Sequence, residues 1–293
     1  MKTHSIRGML LVLGIFLLGG AVLGGLFLAP RAHAPQAPAG VASGLPLRDL
    51  RFVSYNILHN QRGLDRVAGE IKKLEPDFVF LQEVESADAA QLAQALGMEV
   101  NYYPQLYHTS ENLAGPRASW GNLILSKYPL YAAESIPNPG GGSFGVWADA
   151  VVDGKRFVVA NVHLSATWNA NPIHIKQSGM NRAMELTNLR NAWKSRGSPP
   201  IIVGGDFNQI PNGNNYVQMT QDWIDALAAL GKKGTTFGEG LLKTRIDYFL
   251  LSPGWKPIDA EIVSSDASDH RPIRLTVGGK PTTAPATTTS ATR

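Results

Sequence analysis

Short apolar runs and regularly spaced apolar positions recur along most of this chain, and their period predicts its elements. Leu50–Ile57 and Asp77–Val84 read as strands. Between them Leu64, Val67, Ile71 and Leu74 form one stripe, which predicts a helix over Leu64–Leu74. A short helix is expected over Asp88–Leu96. Asn122–Ser126 and Tyr131–Ile136 read as strands joined through a Tyr128-Pro129 turn. Val146–Val152 and Phe157–His163 read as a hairpin turning on Asp153-Gly154. A long helix is predicted over Ile173–Trp193, with Ala183, Leu186, Leu189 and Trp193 facing inward. Strands are then expected at Ile201–Gly204, Ile246–Leu251, Ala260–Val263 and Ile273–Val277. An early strand–helix–strand unit with later hairpins implies mixed, mostly antiparallel sheets. Two of them should pack face to face with helices outside.

The ends break this pattern. Gly8–Pro30 is uncharged and rich in Leu, Val, Ile, Phe and Gly, behind Lys2, His4 and Arg7. About 20 apolar residues suffice to span a bilayer, against about 7–15 in the apolar core of a cleaved signal. A small-x-small site follows at Ala32-His33-Ala34, but Pro35 would stand just after the cut. Residues 1–30 are therefore read first as a membrane anchor, with a removed signal and a secreted domain as the alternative. Lys2 and Arg7 would stay in the cytoplasm, with the domain outside it. Residues 31–46 are Ala/Pro/Gly-rich and read as a spacer. The Thr/Ala/Pro-rich end, 278–293, has little to bury and is expected to be disordered. The folded domain is then 47–277.

Composition narrows the chemistry. The chain has 293 residues, 44% of them hydrophobic, and no Cys. Disulfides and thiolate metal sites are excluded, so a metal would be held by Asp, Glu, Asn or His, which favours Mg²⁺ or Mn²⁺. The net charge of +4 lies in the tails: Arg48–Val277 holds 22 basic and 23 acidic residues. A basic pI is thus no evidence that the domain binds nucleic acid. One local excess exists, where Lys155, Arg156, Lys176, Arg182, Arg190, Lys194 and Arg196 face only Glu185. It reads either as a phosphate-attracting face or as a solvated helix surface.

Polar residues cluster at the predicted strand ends. The most informative fragment is Gly205-Asp206-Phe207-Asn208, after the apolar run Pro200–Val203. A carboxylate and a carboxamide two residues apart share one side of an extended backbone and could hold and deprotonate a water. Six further fragments accompany it: Ser54-Tyr55-Asn56, Leu81-Gln82-Glu83, Gly121-Asn122, Asn161-Val162-His163-Leu164, Arg245-Ile246-Asp247-Tyr248 and Ser268-Asp269-His270. Asn56, Glu83, His163 and Asp206 close strands, whereas Asp247 and Asp269-His270 open them. Antiparallel placement of the last two strands would bring all of them to one rim.

These fragments, in this order from Arg51 to Ile273, resemble the endonuclease/exonuclease/phosphatase superfamily. The resemblance implies a four-layer α/β sandwich and metal-dependent cleavage of phosphate esters. It assigns the metal to Glu83, with Asn56 and Asp269. Asp206 would be the general base and Asn208 would orient the attacking water. His270 would contact the phosphoryl oxygens as an acid or a clamp, its ring held by Asp247. His163 and Asn122 would add donors to the non-bridging oxygens. His59, His108 and His174 are read as solvated or locally bonded. Trp168 is read as a stacking residue or an anchor of its own loop, and Gly140–Gly142 as a loop rather than a phosphate cradle.

The expected function is a phosphodiester hydrolase, first a nuclease acting on DNA or RNA outside the cytoplasm. A phospholipid or sphingomyelin phosphodiesterase, or an inositol-phosphate phosphatase at a membrane, is the alternative. A catalytically silent binding module is the third reading. The chain is expected to act as a monomer.

Overall fold

Strands form where the sequence is apolar on one or both faces. In chain order they are β1 (Ala42–Ser43), β2 (Leu50–Asn56), β3 (Phe78–Glu85), β4 (Trp120–Ser126), β5 (Leu130–Pro137) and β6 (Ser143–Val152). Then come β7 (Lys155–His163), β8 (Ile201–Asp206), β9 (Ile224–Asp225), β10 (Asp247–Leu251), β11 (Lys256–Ile262) and β12 (Ile273–Gly278). The helices are α1 (Leu64–Lys73), α2 (Ala89–Leu96), α3 (Pro172–Ser195), α4 (Asn214–Met219) and α5 (Ala226–Ala229). This computed structural model describes residues 35–85, 87–98, 120–138, 143–167, 169–240 and 243–278. The expected anchor at 1–30, the tail beyond 278, His108, Gly140–Gly142 and Trp168 lie outside the described residues. No helix among the described residues is long and apolar enough to cross a membrane.

One sheet runs β11-β12-β2-β3-β4 and the other β5-β6-β7-β8-β10-β9, with β1 beside β7. β2–β3, β7–β8 and β1–β7 are parallel and the remaining pairs antiparallel. Three apolar clusters divide the layers. Phe52, Phe78, Phe80, Phe157 and Phe249 fill the space between the sheets. Leu186, Leu189 and Trp193 of α3 cover the outer face of the larger sheet over Val158, Ala160 and Val203. Val67 and Ile71 of α1 and Leu92 of α2 cover Val79, Leu81 and Leu123 of the smaller one. The order helix–sheet–sheet–helix is the four-layer α/β sandwich that the family resemblance implied, and it holds the two facing sheets with outer helices expected from the sequence pattern.

The differences have local causes. Residues 35–46, expected as a spacer, lie on the domain. β7 begins at Lys155, but its pairing with β8 begins only at Val158. β1 occupies that open edge, with Ala42 opposite Lys155, and Gly44 N–H donates to Arg156 O at 2.9 Å. β11 starts at Lys256, ahead of the predicted Ala260, because its first residues alternate toward solvent and form no apolar run. The short α4 and α5 carry too few positions for a helical period to show.

Gly204 and Gly205 allow β8 to pass through the middle of the sandwich. A Cβ on Gly204 would lie 2.6 Å from the rings of both Phe80 and Phe249. Gly205 has φ +143°, and a Cβ there would meet Val162 O at 1.9 Å. Only glycine fits this approach, and it delivers Asp206 to the rim.

Candidate active site

Registry brings the strand ends together. Asn56 pairs with Gln82 across β2–β3, and His163 with Asp206 across β7–β8. Antiparallel β10 sets Asp247 opposite Asp206, and antiparallel β12 sets Ile273 opposite Ser54. The expected rim is therefore built by both sheets.

Glu83 reaches it through a bulge. The β3–β4 register shifts between Leu81 and Val84, and Glu83 has φ +57°. This places two consecutive side chains differently. Gln82 is buried and donates to Asn161 Oδ1 at 2.6 Å, while half-buried Glu83 turns to Asn56 and His59 at the rim. Asn161 completes a tie between the sheets by donating to Leu81 O at 2.7 Å and Leu123 O at 3.0 Å.

Asp206 is the hub. Asn56 Nδ2 donates to Asp206 Oδ2 at 3.2 Å and to Glu83 Oε1 at 3.0 Å. His163 Nε2 and His270 Nε2 lie 3.6 and 3.7 Å from the same Oδ2. Asn208 N–H donates to Asp206 Oδ1 at 2.8 Å, which fixes the carboxylate plane. Burial pushes the Asp206 carboxyl up to about 6; Asp247 adds to the rise, and His270 and His163 oppose it. His270 Nδ1 lies 2.9 Å from Asp247 Oδ2. Burial pulls the His270 ring down, but Asp247 and Asp206 outweigh it and raise its pKa to about 10. The backbone N–H groups of Ile246 and Asp247 donate to buried Thr236 Oγ1, both at 3.1 Å, which anchors the start of β10. Asp206, Asp247 and His270 each offer a ligand atom, and these lie within 4.8 Å of one another.

The arrangement couples a desolvated carboxylate to two imidazoles beside a second carboxylate, the apparatus of acid–base phosphate chemistry. The sequence profile of the Endonuclease/Exonuclease/phosphatase family matches residues 53–270. This chain belongs to that family. Members are phosphoesterase hydrolases dependent on divalent metals. Solved structures carry the same fold at low identity. An endonuclease/exonuclease/phosphatase family protein of Bacteroides thetaiotaomicron superposes with TM-score 0.61 at 16% identity, over 78% of this chain and 97% of that one. A mannosyl-6-phosphatase of the same organism gives TM-score 0.59 at 16% identity, over 78% and 99%. Truncated TDP2 of Caenorhabditis elegans gives TM-score 0.56 at 20% identity, over 80% and 99%. No match was found among curated proteins.

Within this endonuclease/exonuclease/phosphatase domain, two expected donors are already engaged. Asn122 lies in β4, where its Nδ2 donates to Phe144 O of the facing sheet at 3.3 Å. It ties the sheets, as Asn161 does. Asn208 Nδ2 donates to Leu164 O at 2.9 Å, so this side chain braces the loop after His163. Asp269 joins through Ser268, whose hydroxyl donates to Asn56 O at 2.8 Å and lies 3.2 Å from Asp269 Oδ1.

Several site residues escaped the sequence reading. His59, read as solvated or locally bonded, sets Nε2 at 3.2 Å from Glu83 Oε2 and Nδ1 at 3.1 Å from Glu85 Oε1. Its only signal was its place three residues after Asn56. Arg182 and Glu185 of α3 support the loop after His163. Arg182 Nη1 donates to Ser165 O at 2.7 Å, and Ser165 donates through N–H and Oγ to Glu185 at 3.0 and 2.6 Å. In the sequence they belong to the stretch read as a phosphate-attracting or solvated face; the structure buries both instead.

Proposed function

We propose that this protein is a divalent-metal-dependent phosphodiester hydrolase with Asp206 as its general base. The observation that carries this reading is the Asp206 carboxylate itself: buried, raised to about 6, and within 3.7 Å of two imidazoles and an asparagine amide. A base with a pKa near neutrality accepts a proton from water and still remains largely ionised at pH 7. The His270 cation, oriented by Asp247, would face the phosphoryl oxygens and stabilise the charge that develops there. His163 would add a second donor. Asn208 would hold the Asp206 carboxylate through its backbone N–H rather than orient water through its amide nitrogen.

The donors suit a hard cation. The chain has no Cys, Glu83 presents a carboxylate at the rim, and Asn56 Oδ1 keeps a lone pair beyond the Leu58 N–H that it accepts at 3.1 Å. Buried Asp247 Oδ1 has no hydrogen-bond partner among the described residues. Glu83 and Asn56, with Asp269 nearby, would hold Mg²⁺ or Mn²⁺. Bound there, the ion would polarise a phosphoryl oxygen and offset negative charge.

The charge that pointed to nucleic acid is largely spent within the domain. Arg190 and Lys194 pair with Asp222 at 2.6 and 3.2 Å, and Arg156 and Arg196 with Asp149 at 3.5 and 3.6 Å. Arg182 is buried against Ser165. A phosphodiester presented at a membrane is thereby favoured over DNA or RNA as the substrate. The exposed aliphatic side chains of α3 and α4, and the uncharged Gly8–Pro30 segment read as a membrane anchor, support this choice.

The deciding experiment assays the full chain with Mg²⁺ or Mn²⁺ on plasmid DNA, RNA, sphingomyelin and inositol phosphates. Asp206→Asn and EDTA serve as controls. Metal-dependent release from a lipid substrate, lost in the variant, is expected. Nicking of DNA with no lipid turnover would return the nuclease reading. Hydrolysis of nothing would return the silent binding module.

A further inference from the structure

Six of the nine large hydrophobic side chains exposed among the described residues belong to α3, α4 and the segment that leads into α4: Ile173, Met180 and Met184, which share one face of α3 by their spacing, Ile175 on another face of its first turns, Val217 on α4 and Ile210 after Asn208. The first turns of α3 leave the body of the domain. From Pro172 to Gln177 every residue is exposed except His174, which is half-buried, and Ile173 is 78% exposed. α4 lies alongside, with Asn215 Nδ2 and Gln218 Nε2 donating to Gly179 O and Ala183 O, both at 3.0 Å. The strip borders the catalytic rim. Ser178 Oγ meets Thr167 Oγ1 at 2.7 Å on the loop after His163, and Ile210 follows Asn208 by two residues.

Charge decides what can cover it. Between Asp153 and Asp222 the only acidic residues are Glu185 and Asp206, and both are buried. This stretch therefore offers no carboxylate to solvent, while Lys176 stands exposed between Ile175 and Met180. Aliphatic side chains around a cation, with no anion among them, complement an anionic bilayer, where the apolar groups enter the headgroup boundary and the cation meets lipid phosphates. A nucleic acid would leave the isoleucines and methionines in water. We propose that the start of α3, with α4 and Ile210, docks on an anionic phospholipid surface and turns the catalytic rim toward it. The inference goes beyond the reaction and does not depend on Asp206 chemistry, so an inactive enzyme would leave it standing.

The absence of Cys from the chain makes a direct test simple. Ile173→Cys, Val217→Cys and, on β11 of the other sheet, Ile258→Cys each give the full chain a single thiol for an environment-sensitive fluorophore. With phosphatidylcholine vesicles containing phosphatidylglycerol, labels at 173 and 217 should shift to the blue and be quenched by lipid-borne quenchers. The label at 258 should not respond. Lys176→Glu should reduce the response at 217 several-fold. Labels at 173 and 217 that stay in water on vesicle-bound protein would overturn the proposal. So would a shift that needs no vesicles and grows with protein concentration, which would assign the strip to a second copy of the chain. Equal responses on phosphatidylcholine alone would overturn the anionic assignment.

Discussion

His59 Nε2 lies 3.2 Å from Glu83 Oε2, and both residues have positive φ, +49° and +57°. Leu58 and Asn60 share this conformation, at φ +51° and +59°. Such backbone costs about 1–3 kcal/mol per residue and persists only where its surroundings impose it. Here the surroundings are Leu58 N–H on Asn56 Oδ1 at 3.1 Å, Asn60 Nδ2 on Asp88 Oδ2 at 3.2 Å, and the edge of Trp120 against the His59 ring at 4.6 Å. Two strained segments thus lock each other, and the carboxylate they share is the expected metal ligand.

His59→Ala should therefore weaken Mg²⁺ or Mn²⁺ binding, measured by calorimetric titration, by about 10–100-fold, the usual cost of removing a residue that orients a ligand. His59→Gln restores a donor to Glu83 and should recover part of the loss. Wild-type affinity in His59→Ala would show that Glu83 needs no such support.

Glu83→Gln keeps the shape of the side chain and removes its charge. Metal affinity should fall by at least about 10-fold, and turnover at fixed metal by several orders of magnitude, with circular dichroism unchanged. Retained activity would remove Glu83 from the metal site.

The pH profile of turnover should have two limbs. Asp206 must be ionised to accept a proton, and its carboxyl is raised to about 6, so activity rises with pH through that region. A bound cation would move this limb lower. His270 is raised to about 10, so the imidazolium persists through neutrality and is lost as pH climbs toward that value. Asp247→Asn removes the strongest group raising the His270 pKa. It should bring the alkaline limb down by more than one pH unit, because loss of a directly bonded carboxylate removes about 1–3 units of support. An unmoved alkaline limb would show that His270 does not control it.

Gly205→Ala places a methyl 1.9 Å from Val162 O at φ +143°. Backbone cannot yield as a flexible side chain does, so chemical denaturation should show a loss of at least about 1–3 kcal/mol. Activity should fall too, since β8 carries Asp206 at its end. Gly231→Ala is the comparison: its φ is +65° but nothing lies within 4 Å, so only the conformational cost of about 1–2 kcal/mol should appear.

Asn161→Ala would take from Leu81 O and Leu123 O the amide they accept from inside the sandwich, and would leave Gln82 Nε2 only its longer contacts, to Phe80 O at 3.3 Å and Ser54 Oγ at 3.4 Å. Each stranded buried group costs about 1–3 kcal/mol. Unfolding should report a loss toward the upper part of that range, and metal affinity should fall with it because Gln82 precedes Glu83.

Local order was legible before any coordinates. Alternation and helical stripes placed the strands and long helices, because burying one face of a strand or helix leaves a period in the sequence. The strand-end polar residues were legible for the same reason: Asp206, His163 and Asn56 interrupt apolar runs where folding alone has no use for them. Pairing was not legible. Whether His59 met solvent or Glu83, and whether Asn122 met substrate or Phe144, depended on the β3 bulge and on which strand faced which. The same holds for the basic run at 155–196, where Arg156 and Arg196 meet Asp149 and Arg190 and Lys194 meet Asp222. A sequence records which side chains need burial or a partner. Only the tertiary arrangement determines which partner each one meets, because that choice is made by contacts between residues far apart in the chain.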